Sequence, residues 1–142
     1  MSSGVVVIGQ EDALVRGNIA LLGEETNQQL SMRVQEILPG QSTPLHIHHE
    51  QAETFYVMQG EFRFRAGDQE VDGQPGITVH IPKGVPHCFA YLGREASGQL
   101  ISVLTPGIHD GFIRDIPEAQ KSGVSPEALA DIAAANGATI LG

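Results

Sequence analysis

The feature that most constrains this chain is a glycine-bounded segment that carries three metal-binding side chains at close spacing. It runs from Gly40 to Gly60 and contains His46, His48 and Glu53. Alternate side chains of a strand point to the same face, so His46 and His48 share one face of a predicted strand. Glu53 lies at an odd offset from His48, and the polar residues between them predict a turn that lets Glu53 face the histidines again. The segment therefore predicts two strands that direct three donor side chains to one point.

A second glycine-bounded segment supplies a fourth donor. It runs from Gly76 through Pro82 and Gly84 to His87. Glycine tolerates positive φ at tight turns, so these glycines predict the bends that bring the strands of both segments side by side. Three imidazoles and one carboxylate suit first-row transition ions better than Ca²⁺ or Mg²⁺. The four side chains are therefore predicted to bind one divalent transition metal ion (Fe, Mn, Ni, Co, Cu or Zn).

The predicted donor set leaves room for a reactant. Four protein ligands on an ion that prefers six leave two positions for water, substrate or dioxygen, which distinguishes a reactive site from a closed structural one. Such an ion would polarise a chelating enol, diol or keto acid, and Glu53 would either stay bound or accept a proton from a substrate hydroxyl. His49, His80 and His109 are not predicted to be ligands, because strand parity or a loop position turns them away from the site.

Both segments resemble the motifs of the cupin superfamily, whose small β-barrels hold a metal with three histidines and one glutamate. The resemblance covers roughly residues 40–91, and every signature Gly, Pro, His and Glu falls at the family's spacing. One position departs from the pattern, since Tyr91 stands where the family often has asparagine. The resemblance implies an all-β, single-domain cupin β-barrel (a double-stranded β-helix or jelly roll) of the cupin-2 type, with a short C-terminal helical extension.

The passage Thr105-Pro106-Gly107…Phe112…Arg114 and the closing helix are loosely similar to the ends of small quercetinase-like cupins. This similarity implies a dioxygenase that acts on a small aromatic or enediol substrate chelated to the metal, with Glu53 as the catalytic proton acceptor. A non-redox metal-dependent isomerase or lyase, and a ligand-binding protein without turnover, remain as alternatives, because fold does not determine function. Strand parity predicts a pocket for a flat ligand, and ordinary core packing is the competing interpretation for at least half of its residues. The predicted pocket residues are Phe55, Val57, Phe62, Phe64, Phe89 and Tyr91.

Length and charge favour one domain with a small-molecule partner. We expect an N-terminal arm over residues 1–33, a barrel core over 34–105 and a C-terminal extension over 106–142. The net charge of −9 argues against a nucleic-acid or anionic-membrane partner. No apolar run is long enough for a membrane span, so a cytoplasmic location is expected. The only cysteine, Cys88, excludes an internal disulfide and is expected to be a packed thiol.

The two ends of the chain carry further local patterns. The apolar runs Val5–Ile8 and Ile19–Leu22 predict strands that pair at the barrel edge or cross to a partner subunit. Ser125 before a proline predicts the start of a helix that ends at Asn136-Gly137, and another helix is predicted over residues 116–121. The strand Thr54–Met58 is apolar on both faces, which favours a homodimer.

Overall fold

The computed structural model describes residues 4–142, so the first three residues of the expected N-terminal arm lie outside the described residues. Ten strands account for most of the regular structure. They are β1 (Ile19–Leu21), β2 (Ser31–Ile37), β3 (His46–His48), β4 (Ala52–Gln59), β5 (Phe62–Ala66), β6 (Gln69–Gly73), β7 (Thr78–Ile81), β8 (His87–Tyr91), β9 (Gly98–Thr105) and β10 (Ala138–Ile140).

The strands form two five-stranded sheets with antiparallel pairing. The first sheet has the order β1-β2-β9-β4-β7, and the second has the order β10-β3-β8-β5-β6. Most neighbours in each sheet are distant in sequence, since β2 pairs with β9 over seven residues and β3 pairs with β8, whereas β1–β2 and β5–β6 are consecutive strands. This arrangement confirms the predicted all-β fold, with helices confined to the N-terminal arm and the C-terminal extension.

A hydrophobic core fills the space between the two sheets. The first sheet contributes Phe55, Val57 and Leu100, and the second contributes Phe62 and Phe64, among others. The side chains alternate because each strand buries one face only. In β5, for example, the phenylalanines are buried and the two arginines between and after them are exposed. Each fully buried aromatic side chain contributes about 1.5–3 kcal/mol to folding.

The N-terminal arm differs in part from the expected pair of strands. Ile19–Leu21 forms the predicted edge strand and pairs antiparallel with β2. The Val5–Ile8 run forms no strand, and Val5 and Val7 are 75% and 85% exposed. The place beside β2 is already taken by β1, so this run does not join the sheet there. A short helix, α1 (Gln10–Val15), follows it instead.

The C-terminal extension contains two helices, α2 (Asp110–Ser122) and α3 (Pro126–Ala135). The start of α3 confirms the sequence prediction, since the Ser125 hydroxyl accepts a hydrogen bond from the Ala128 amide at 3.1 Å. Helix α2 begins six residues before its predicted start, because its first turns contain a glycine, and a proline lies in its middle, which weakens the helical signal. None of the helices in residues 4–142 is long and apolar enough to cross a membrane.

Strand β10 follows α3 and was not predicted from the sequence. It pairs antiparallel with β3, so that Ala138 lies opposite His48 and Ile140 lies opposite His46. A strand of three residues after Gly137 is too short to produce a recognisable alternation. The extension therefore docks on the strand that carries two of the predicted metal ligands.

Candidate metal centre

The four predicted ligands converge between the two sheets. His46 and His48 lie on β3, and His46 pairs in register with His87 at the start of β8. Glu53 lies on β4 in the opposite sheet and faces them. One potential ligand atom from each side chain lies within 4.8 Å of those of the other three. All four residues are buried, with exposed fractions of 2–8%.

Two loops set the direction of the ligand strands. In the turn between β3 and β4, the buried side-chain amide of Gln51 donates through Nε2 to the carbonyl oxygens of Pro106 and Ile108 at 2.9 and 2.7 Å. In the loop before β8, the Gly84 amide donates to the His48 carbonyl at 2.8 Å. Gly84 has a φ of +83°, which favours glycine at this turn. These bonds tie the turn and the loop to neighbouring parts of the barrel.

Backbone carbonyls fix the orientation of two of the imidazoles. The Nδ1 of His46 lies 2.8 Å from the Pro44 carbonyl oxygen, and the Nδ1 of His87 lies 2.9 Å from that of Val85. A ring that donates its Nδ1 proton to a carbonyl presents Nε2 as the metal-binding atom. Both rings therefore present Nε2 as the potential ligand atom, and that of His87 lies 3.1 Å from a Glu53 carboxylate oxygen.

The electrostatics of the site favour the ionised carboxylate. Burial alone would raise the pKa of Glu53, but the imidazoles of His48 and His87 outweigh burial and lower it to about 2. The pKa of His87 is raised, because its contact with Glu53 at 3.1 Å outweighs the effect of burial. Burial, together with the neighbouring His87, lowers the pKa of His46 to about 4. At neutral pH the site thus contains a carboxylate and a neutral His46.

One side chain in the cluster lacks the partners that burial demands. Both ring nitrogens of His48 are buried and have no hydrogen-bond partner within residues 4–142, although Nε2 lies 3.4 Å from Glu53. A buried polar atom without a partner costs about 1–3 kcal/mol. An ion bound to Nε2 would remove part of this cost. The residues therefore fit a divalent metal, and the cluster could hold one.

Phe112 on α2 covers the histidines, and the sequence did not identify it as a site residue. Its ring stacks on His46 with a centroid distance of 5.7 Å and meets His48 edge-on at 4.6 Å. The available signal was the helical spacing of Phe112, Ile113 and Ile116, which indicates one apolar face. Parity within the barrel gives no information about a helix that covers it from outside.

A cavity of about 560 Å³ extends from the candidate metal centre between the first sheet and α2. His46 and Glu53 line it, together with two of the six predicted pocket residues, Phe55 and Phe89. The structure places the other four in the packed core and not in the cavity lining. They are Val57, Phe62, Phe64 and Tyr91. Parity shows which side chains point inward, but it does not show how deep along the barrel each of them lies.

The histidines that were not predicted to be ligands have other contacts. His49 lies 2.8 Å from the Thr139 hydroxyl, and His80 lies at the same distance from the Thr54 hydroxyl. His109 lies 3.3 Å from Glu50. None of these histidines belongs to the candidate metal cluster.

Two facing antiparallel sheets with three histidines and one glutamate between them form a β-barrel with a cluster that could hold a metal ion. The sequence matches the Cupin domain family over residues 33–104, and the chain belongs to this family.

Among curated proteins, the chain is similar to quercetin 2,3-dioxygenase of Bacillus subtilis (strain 168), with 25% identity over 126 residues. This alignment covers 86% of the chain and 37% of the relative, so the chain spans well under half of that protein's length. Among solved structures, the TT1209 protein of Thermus thermophilus is 25% identical. It superposes with a TM-score of 0.56 and coverage of 71% of this chain and 98% of its own.

Two further solved structures share the fold at lower identity. BH2720 from Bacillus halodurans has a TM-score of 0.58 and 20% identity, over 71% of this chain and 80% of its own. KdgF from Halomonas sp. has a TM-score of 0.55 and 20% identity, over 62% of this chain and 74% of its own.

Proposed function

We propose that this protein is a mononuclear metal-dependent dioxygenase of the quercetinase type, which oxidises a small aromatic or enediol substrate. The observation that carries the proposal is the buried donor cluster beside a cavity, since His46 and Glu53 line the space that a substrate would occupy. The 25% identity to a quercetin 2,3-dioxygenase over most of the chain supports the same reaction class.

Glu53 is the residue that would accept the substrate proton. Its carboxylate is ionised at neutral pH and lines the cavity, so it can receive a hydrogen bond from a hydroxyl bound there. A divalent ion held by the cluster would acidify a substrate hydroxyl as a Lewis acid, and Glu53, whose pKa the neighbouring His48 and His87 keep low, would be the ionised acceptor beside it. The chain itself positions the acceptor and keeps it charged.

One part of the cavity wall suits a flat aromatic ring. Phe55 and Phe89 come from the two sheets and Phe112 from α2, so aromatic surfaces approach the cavity from three elements. Aromatic walls exclude water and stack on planar rings. Helix α2 covers the candidate metal centre, so a bound substrate would be shielded from bulk solvent as well as oriented.

Metal analysis and oxygen uptake together test this proposal. The purified protein is loaded in turn with each of the six candidate ions and assayed with flavonols, diketones and enediols in an oxygen electrode. Glu53→Gln serves as the site variant, and His80→Ala, which removes an exposed histidine outside the cluster, serves as the control. We expect metal-dependent oxygen consumption that is lost in Glu53→Gln and kept in His80→Ala.

Other outcomes of the same assay would contradict the proposal. Metal-dependent turnover that continues without oxygen would identify an isomerase or lyase. Ligand binding without any turnover would identify a binding protein.

We also propose that two copies associate through the outer face of the first sheet. Val34, Ile101 and Tyr56 lie in one row across three strands of this face. Tyr56 and Met58 are 44% and 45% exposed. A contiguous apolar row on a sheet face is typical of a protein interface. A second copy would cover this row with the same apolar surface.

A further inference from the structure

A half-buried cation with a buried Nε faces the same cavity as the candidate metal centre. Arg33 lies on β2 and lines the cavity together with Glu53. We propose that Arg33 binds a carboxylate group of the ligand, whose other oxygen atoms reach the metal centre, so that the protein selects carboxylate-bearing chelators over neutral ones. This inference rests on the proposed metal site but not on its use of dioxygen.

Strand parity points Arg33 into the barrel. Ser31 and Ile37, which share its face of β2, are 2% and 7% exposed, whereas Val34 lies on the outer face. Across the sheet Arg33 pairs with Ser102, which in turn pairs with Phe55. The row therefore places Arg33 two strand spacings from Phe55, about 10 Å between Cα atoms.

The guanidinium of Arg33 has no anionic partner at bonding distance. Its Nε is buried without a hydrogen-bond partner, and no ion pair involves Arg33 among residues 4–142. Burial lowers its pKa and the charge of Glu53 raises it, but an arginine remains protonated in either case. A buried charge without a close partner is unfavourable, so an incoming anion would be stabilised there.

The geometry of guanidinium favours a carboxylate. Its donors form a planar fork that matches the two oxygens of a carboxylate, and such charge-assisted pairs are stronger than neutral hydrogen bonds. Polar atoms next to Arg33 extend this region, since the Gln35 amide donates to the Ser102 hydroxyl at 3.2 Å. Arg33, Ser102 and Glu53 line the same cavity, so a ligand bound there could contact both the polar row and the metal cluster.

The charges around the cavity support a single anionic group. The lining includes two cations, Arg33 and the exposed Lys121, and two anions, Glu36 and Glu53. Of the two cations only Arg33 faces the interior of the barrel, in a chain whose net charge is −9. One inward-facing guanidinium can neutralise one carboxylate, whereas a doubly charged group would leave a charge uncompensated.

Binding of a matched pair of probes tests this inference. Catechol and 3,4-dihydroxybenzoate carry the same chelating hydroxyls and differ by one carboxylate. Their dissociation constants are measured by calorimetry on the zinc-loaded protein under nitrogen. We expect 3,4-dihydroxybenzoate to bind about tenfold or more tightly than catechol, as charge-assisted pairing requires. Arg33→Gln should abolish this preference, so that both probes bind with similar affinity.

Two further variants sharpen the comparison. Arg33→Lys keeps the charge without the fork and should retain only part of the preference. Arg65→Gln removes an arginine from the outer face of β5 and should retain all of it. Equal affinity of the wild-type protein for both probes would overturn the inference, even if Arg33→Gln failed to fold.

The outcomes separate this inference from the proposed function. Failure of the protein to take up zinc would overturn the metal centre and this inference together, whereas a zinc-loaded protein that binds neither probe would overturn this inference alone. A clear preference for the carboxylate in a protein that consumes no oxygen would support this inference and contradict the dioxygenase.

Discussion

Replacing Phe112 by alanine should weaken both the fold and metal binding, because its ring contacts two of the candidate ligands. Truncating a fully buried phenylalanine to alanine lowers the unfolding free energy by about 3–5 kcal/mol, and truncating the half-buried Phe112 should lower it by about half of that. The two aromatic contacts with His46 and His48 add about 0.5–1.5 kcal/mol each. The variant should therefore lose about 2.5–5.5 kcal/mol of unfolding free energy, a decrease of about 5–22 °C in Tm.

Metal affinity should fall together with stability in Phe112→Ala. Side chains that orient metal ligands from behind change affinity by about 10–100-fold when they are removed. The assay is a competition titration of cobalt against a chelator, combined with thermal unfolding of the ion-free protein. Phe112→Leu keeps most of the apolar volume and should recover most of the stability, but not the ring contacts.

Leu129→Ala is the matched control for this experiment. Leu129 packs in the cluster formed by α2, α3 and β10 and has no ring contact with the histidines. Its truncation should lower Tm by a comparable amount and leave the affinity for cobalt within about twofold of wild type. If Phe112→Ala bound cobalt as tightly as Leu129→Ala does, α2 would not orient the ligands and the reasoning would be refuted.

Three other changes give separate tests. Deleting residues 138–142 removes β10 from beside His48, so we expect weaker cobalt binding at unchanged helix content in circular dichroism. Cobalt binding equal to that of the wild type would exclude a role for β10 in metal binding. Acidification should weaken metal binding by about tenfold per pH unit below the raised pKa of His87, because the proton on that imidazole must leave before an ion binds. A cobalt affinity that stays constant from about pH 8 to about 5.5 would contradict this linkage. Tyr56→Glu should convert a dimer into a monomer in light scattering, whereas Val71→Glu, at a similarly exposed site on the other sheet, should not; a monomeric wild-type protein would refute the proposed interface.

The ligand cluster could be predicted from the sequence because the spacing of its residues along each strand is a local pattern. His46 and His48 are two residues apart, and a strand places such residues on one face whatever surrounds it. The glycines that mark the turns, such as Gly84 at positive φ, also act locally. Family resemblance then supplied the pairing of the two segments, which local periodicity could not provide.

The features that the sequence did not reveal depend on contacts between distant segments. Phe112 and β10 reach the site from the C-terminal extension, about 60 to 90 residues beyond the histidines that they contact. Arg33 was assigned to the end of the N-terminal arm, although strand β2 already begins at Ser31. A period-two pattern also gives no information about depth along the barrel. The sequence therefore did not show that Tyr91 lies in the core, where its hydroxyl donates to the Ala96 carbonyl.

The most direct test of the central claim is the metal content of three proteins purified in parallel, measured by mass spectrometry of the bound elements. We expect about one transition metal ion per chain in the wild type and in His80→Ala, and a loss of more than about 90% in His87→Ala, with folding of each variant confirmed by circular dichroism. Full metal content in a folded His87→Ala protein would contradict the assignment of the four-residue centre.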